Sequence, residues 1–429
     1  MTRATPGTTR AVDPGTTPTD RLTAVVRALA SPEYAGRRVG TPGGRAAAGY
    51  LAGRLRELGA TVTSDGFPVA AVRELYATPT MDWTDEEGRS RPLVHRRDFA
   101  EHLVSADVPA PRTGPLARVG DADWSGRWVL VPVVGADVSR RAASEGAAGL
   151  LVARGVDDGG WMPKMIAGPT PATVAVIGVR AEVHERMGRG GVVTASVPLR
   201  TVAADGVNVH GVFARPVPGG VSVLLTAHHD GVGDDPRQRL PAAADNASGC
   251  AVVLESARQL APWLPDGVGL AVAYLDAEEA GALGSARHAP QVRAGTFVIN
   301  VDGAAELSGA AAVEAGGPAG ELLAALDRAG RDTGVALRAA PMPSDNRRYA
   351  AAGLAAVGIG MGMPGYQTPA ETPDRVDPAT LLAATALVVA TVRNLFALAE
   401  PVGDFRGNDN PAAVTVTGRP APDTEDSRP

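Results

Sequence analysis

The chain is organised around Val221-Ser-Val-Leu-Leu-Thr-Ala-His-His-Asp230 and, after a loop rich in Gly, Asp and Pro, Pro241-Ala-Ala-Ala-Asp-Asn-Ala-Ser-Gly249. The apolar run from Val221 to Leu225 predicts a strand buried on both faces, as in a parallel sheet. A helical pattern begins at Ser248. His228 therefore sits just past the carboxyl end of a strand, where ligands bind in open α/β sheets. It offers an imidazole for zinc. Asp230 is close enough to take the other ring N–H and fix the tautomer, as a carboxylate behind a metal-bound His does. Asp245 offers an oxygen to the same cluster. Taken alone, the stretch also fits a strand-end His and a capping Asp.

The next two strands separate these readings. Gly269 to Leu275 is apolar and ends in Asp276-Ala-Glu278-Glu279; Thr296 to Val301 is apolar and ends in Asp302. Three successive strands thus end in His, in Glu-Glu and in Asp, which caps alone do not explain. Of two carboxylates beside a metal, one can ligate it while its neighbour takes a proton from bound water.

The order H-x-D, D-N-A-S-G, D-A-E-E-x-G-x-x-G-S and V-D is read at His228–Asp230, Asp245–Gly249, Asp276–Ser285 and Val301–Asp302. It resembles the co-catalytic zinc aminopeptidase family, which includes bacterial leucyl-type aminopeptidases, glutamate carboxypeptidase II and, more distantly, glutaminyl cyclases. The resemblance runs over roughly residues 20 to 400. It implies an α/β three-layer sandwich with a mostly parallel central sheet. It also implies that His228 and Asp302 hold one zinc, that Asp245 bridges, with a cis bond to Asn246, and that Glu279 holds the other zinc. Glu278 is then the general base and Asp230 its catalytic companion behind His228.

The last ligand of that family is a His in a motif like Y-H-T-P-E-D-T. Here the motif reads Tyr366-Gln-Thr-Pro-Ala-Glu-Thr372, so Gln367 stands at the ligand position and the following acid is changed as well. A family S-D-H reads Ser344-Asp345-Asn346. Gln367 offers a neutral carbonyl oxygen, which suits magnesium, calcium or manganese better than zinc. The chain has only seven His. His229 points away from His228 if the strand continues, His210 belongs to another strand, and His288 follows a family-like G-S-x-x-H segment. The expectation is one tightly bound zinc and a weak or empty second site.

The 429 residues leave room for more than one domain. A net charge of −6 argues against nucleic acid as a partner and gives no hint of a membrane surface. One cysteine, Cys250, excludes an internal disulfide and reads as a small core residue. Residues 1–18 are Thr, Pro, Gly and Arg without an apolar segment; they read as disordered and not as a secretory signal, which favours the cytoplasm. No run approaches membrane-spanning length. Helical periodicity covers Asp20 to Leu29 and Gly44 to Leu58, with Gly59 as C-cap. The loop Ala35-Gly-Arg-Arg-Val-Gly-Thr-Pro-Gly43 between them adds to the family resemblance.

Residues 77–202 interrupt the pattern. The runs G-R-W-V-L-V, A-A-S-E-G-A-A-G-L-L-V and P-A-T-V-A-V-I resemble a mainly-β protease-associated domain, an insert that shapes the approach to the site in such peptidases. The segment shows no clustered His or acids, so it reads as a spacer without catalytic residues, with His95, His102 and His184 at the surface. The catalytic domain is then 19–76 and 203–400, with a disordered tail at 401–429. The expected reaction is hydrolysis of an amide by metal-activated water, aminopeptidase-like, on a small peptide or aminoacyl substrate. Two rivals are a biosynthetic enzyme doing cyclase, acyl-transfer or deacylase chemistry on the same scaffold, and a binding protein with a decayed site. The sequence leaves the oligomeric state open.

Overall fold

A computed structural model describes residues 16–168 and 170–399; the stretch up to residue 15 and the tail from 400, both expected to be disordered, lie outside them. The core is one eight-stranded sheet. Its strands are β1 (Thr61–Leu75), β2 (Leu199–Ala214), β3 (Ser222–His228), β4 (Gly269–Leu275), β5 (Thr296–Val301), β6 (Ala311–Gly316), β7 (Leu337–Ala339) and β8 (Ala355–Gly360). The spatial order is β1-β2-β4-β3-β5-β8-β6-β7. The middle four, β4, β3, β5 and β8, run parallel. β2 and β6 flank them antiparallel.

Both faces of the parallel strands are covered, and the residues alternate accordingly. Val223, Leu225 and Ala227 join Ile299, Val301, Val272 and Val357 on one face. Leu224, Val298, Ala273 and Ala356 line the other. The first face packs against α1 (Pro18–Leu29), α2 (Pro42–Glu57), α3 (Gly249–Leu260), α4 (Gly320–Thr333) and α6 (Pro378–Ala399). The second carries the short α5 (Asn346–Ala351), through Tyr349. This is the three-layer sandwich expected. α1 starts at Pro18, ahead of its apolar pattern, because Thr17 and Asp20 close a capping box around its first turn.

One reading is changed here. Pro378–Ala397 is long and apolar enough to cross a membrane by length and composition, with mean hydropathy 1.6. Its Leu381, Leu387, Val388, Val392 and Phe396 are instead buried in the core. An apolar helix against a fully covered sheet passes the same test.

β1 and β2 pair from Thr61↔Val212 to Leu75↔Leu199. Between them, the chain builds a second eight-stranded sheet with its own apolar clusters around Trp128 and Trp124. Trp128–Val131, Gly149–Arg154 and Ala175–Arg180 are its parallel strands, with helices Ala136–Ser144 and Ala181–Met187. Its histidines are not surface residues. His95, His102 and His184 are half-buried; His95 bonds Glu101 (3.0 Å) and His184 reaches Leu151 O (3.2 Å).

The second sheet is fastened to the core by buried charge. Arg96 bonds Glu101 (2.6 Å) on its own sheet and Asp235 (2.5 Å) in the core loop after β3. Lys164 adds an ion pair to Asp235 (3.2 Å) and donates to the carbonyls of Gly233 and Asp234. Burial alone would push the Glu101 carboxyl up; Arg96, with His95 behind it, overrides this and holds it well below the usual range. Lys164 also donates its backbone N–H to the carbonyl of Gln367 (2.9 Å). The segment read as a spacer therefore reaches the candidate ligand loop itself.

Candidate metal centre

Thr226 on β3 and Asn300 on β5 are register partners joined by a side-chain hydrogen bond of 2.8 Å. Two residues further along each strand, the pleat returns the side chains of His228 and Asp302 to the same face. His228 Nε2 lies 3.2 Å from Asp302 Oδ1 and 3.1 Å from Asp245 Oδ1. One ligand atom from each of the three residues can be chosen so that all lie within 4.8 Å of one another. His229 turns away, to the carbonyl of Val207 (3.1 Å).

Asp245 is delivered by its motif. Its bond to Asn246 is cis. Asn246 Oδ1 accepts from the N–H groups of Gly249 and Gly303, and Nδ2 donates to Val301 O. Ser248 Oγ accepts from Ala304 N (2.8 Å). The turn before α3 is thus stitched to the end of β5, which carries Asp302. Gly249 is required by space: a Cβ there would meet Asn246 Oδ1 at 2.2 Å and Val301 O at 2.5 Å.

Asp230 stands beside the His228 ring and has a second role as well. Its Oδ1 is 3.4 Å from His228 Nδ1, and that ring nitrogen has no hydrogen bond. Both its oxygens also accept backbone N–H groups, from Glu278 (3.1 Å) and Glu279 (3.2 Å). The turn after β4 is also pinned by Asp276, which accepts from Val207 N and Ala277 N. Glu278 and Glu279 line an open cleft of about 480 Å³ with Tyr366, Gln367, Ser344 and, from the second sheet, Met165 and Ala167. Gln367 Nε2 donates to Glu279 Oε2 at 2.5 Å, while Glu279 Oε1 and Gln367 Oε1 are buried without partners. His210 and His288 stack on each other at 4.4 Å; neither joins the three-residue cluster.

Two residues not singled out from the sequence hold this arrangement. The Glu371 carboxylate accepts the N–H of Asp245 (2.6 Å) and of Gln367 (2.7 Å), tying the two ligand loops together. It is the changed acid of the Y-Q-T-P-A-E-T motif, and the Y-H-T-P-E-D-T comparison was the available signal. Arg37, fully buried, donates to the carbonyls of Leu29, His229, Pro241 and Ala242 and so braces the loop between His228 and Asp245. Asp345 is buried with neither oxygen paired, and burial pushes its carboxyl up to about 7. Cys250 is a core residue, its thiol pushed up to about 12 by burial and bonded to His228 O.

The electrostatics call for a cation. Burial pushes the Glu278 and Glu279 carboxyls well above their usual range; Asp302 adds to the effect at Glu278 and Asp245 at Glu279. Burial would lower the His228 imidazole, but Asp302, then Asp230 and Asp245, pull it well above its ordinary value. One imidazole nitrogen and two carboxylate oxygens are a donor set that zinc accepts, with a position left for substrate or water. The donors present fit the ion.

Residues 208–392 match the profile of peptidase family M28. The M28 match begins on β2 and ends in α6, so it spans every candidate ligand. A probable lipoprotein aminopeptidase of Mycobacterium tuberculosis is 27% identical over 270 residues, 58% of this chain and 50% of that protein. The matched stretch is thus half the length of that curated relative. Among solved structures, an aminopeptidase from Aneurinibacillus sp. strain AM-1 superposes with TM-score 0.67 at 20% identity over 88% of this chain and 93% of that one. A zinc aminopeptidase from Bacillus subtilis gives 0.65 at 21% identity, over 87% and 94%. These likenesses share the fold described above.

Proposed function

We propose that this chain removes the N-terminal residue of a small peptide or aminoacyl substrate by amide hydrolysis at one tightly held zinc. The observation that carries this reading is the convergence of His228, Asp245 and Asp302 beside a cleft that also holds Glu278. Zinc bound there supplies Lewis acidity, polarising a carbonyl and lowering the pKa of water toward about 7. Glu278 takes the proton of the attacking water and returns it to the leaving nitrogen. Asp230 fixes Glu278 and Glu279 through their backbone N–H groups, and Glu371 fixes Asp245 against the Gln367 loop. Gln367 at the last ligand position supports a weak second metal site, since it offers only a neutral carbonyl oxygen where zinc prefers nitrogen or sulfur. Residues 77–202 are read as a protease-associated insert that walls the cleft with Met165 and Ala167.

Dialysis of the protein against a chelator should abolish release of the aniline from leucyl anilide, and added zinc should restore it. Turnover that survives complete metal removal would overturn the reading. So would metal binding without turnover across a panel of aminoacyl and N-acyl amides, as would cyclised or transferred products without hydrolysis.

A further inference from the structure

We propose that the cleft selects zwitterionic short peptides and that Arg348 reads their carboxylate. This rests on the function proposed above and adds a substrate class to it. The cleft is bipolar. Its inner end carries Glu278 and Glu279; its rim, on α5, carries Arg347 and Arg348. Arg347 is neutralised, its Nε lying 3.1 Å from each oxygen of Glu314. Arg348 is not: it makes no ion pair among the described residues, and its one hydrogen bond there is from Nη2 to the carbonyl of Gly281 (2.8 Å).

That bond orients the group. Gly281 follows the Glu278–Glu279 turn and lines the same cleft. One arm of the guanidinium is thus held on the catalytic turn, and its remaining N–H groups stay available. The base of the side chain is fixed too: the next residue, Tyr349, is fully buried, and its hydroxyl lies 2.8 Å from His288 Nδ1. A guanidinium fork oriented in this way matches a carboxylate in bidentate geometry. A short peptide has an ammonium at one end and a carboxylate at the other. The acid-rich end of the cleft favours the first, which directs the second to the arginine rim. A neutral leaving group leaves Arg348 in water at no cost, so the effect is preference and not exclusion.

Binding to zinc-loaded Glu278→Gln protein, measured by calorimetry, tests this without turnover. Leu-Gly is compared with Leu-Gly-amide, and Leu-Asp-amide with Leu-Asn-amide, so that main-chain and side-chain carboxylates are read separately. At least one charged peptide should bind about tenfold tighter than its neutral partner. Because Arg348 is exposed, the preference should shrink as salt rises. Adding Arg348→Ala should bring the ratio near one, and Arg348→Lys should leave part of it. Equal binding within both pairs, an unchanged ratio in Arg348→Ala, a ratio indifferent to salt, or no binding of any of the four peptides would overturn the proposal. Release of aniline from leucyl anilide by the unmodified zinc protein reads the underlying hydrolase function separately.

Discussion

Glu278→Gln should lower kcat by about 10²–10⁴-fold while leaving bound zinc unchanged, the range in which positioned acid–base groups contribute. The substitution keeps the shape of the side chain and removes its ability to take a proton. The surroundings make this clean. Glu278 lies in the cleft wall, outside the three-residue cluster, and its backbone is held by Asp230 and not by its own carboxylate. A steady-state assay with parallel metal analysis decides. A variant that keeps full turnover would remove Glu278 from the chemistry, and one that loses its zinc would make it a ligand.

Arg96→Met should destabilise the protein by about 3–5 kcal/mol, the cost of removing one partner from a buried ionic cluster. Arg96 is fully buried and its guanidinium touches both Glu101 and Asp235. Without it, two buried carboxylates, Glu101 on the second sheet and Asp235 in the core loop, face each other with Lys164 as the remaining cation. The pH dependence carries the sign. Burial raises Asp235 and Glu101, and Arg96 more than reverses this, so both carboxyls lie below their usual range. The stability they supply is fully present above about pH 4 and is lost as pH falls through their folded values. In the variant those carboxylates are instead relieved by protonation. The difference between the two proteins, followed by denaturant unfolding, should therefore narrow below about pH 4. A constant difference across that range would contradict the ionic origin.

The meeting of His228, Asp245 and Asp302 was legible because they lie on strong local signals. His228 and Asp302 end apolar strands of one parallel sheet, and Asp245 sits in a motif followed by a helix. Register alone then brings them together, since Thr226 and Asn300 are partners and the pleat repeats every second residue. The supports were less visible because they act on backbone. Asp230 was assigned to the ring of His228, and its hold on two N–H groups of the next strand's turn was not foreseen. Glu371 bonds N–H groups that any residue would offer, so nothing in the residue types of its partners points to it. Arg37 donates to carbonyls for the same effect.

The insert shows another limit. Its strands were readable from apolar runs around Trp128, Leu150 and Val176. Its coupling to the core was not, because Arg96 and Asp235 are 139 residues apart and each looks like a surface charge in sequence. The same holds for Lys164, whose backbone N–H meets the Gln367 loop. Burial of charge across two sheets is a tertiary property that hydrophobic periodicity does not report.

The zinc content of the purified protein, counted per chain after dialysis against zinc-free buffer, tests the central claim most directly. One zinc per chain is expected, held by His228, Asp245 and Asp302, with the count rising toward two in Gln367→His. Two zinc ions retained by the unmodified chain, or none, would contradict it.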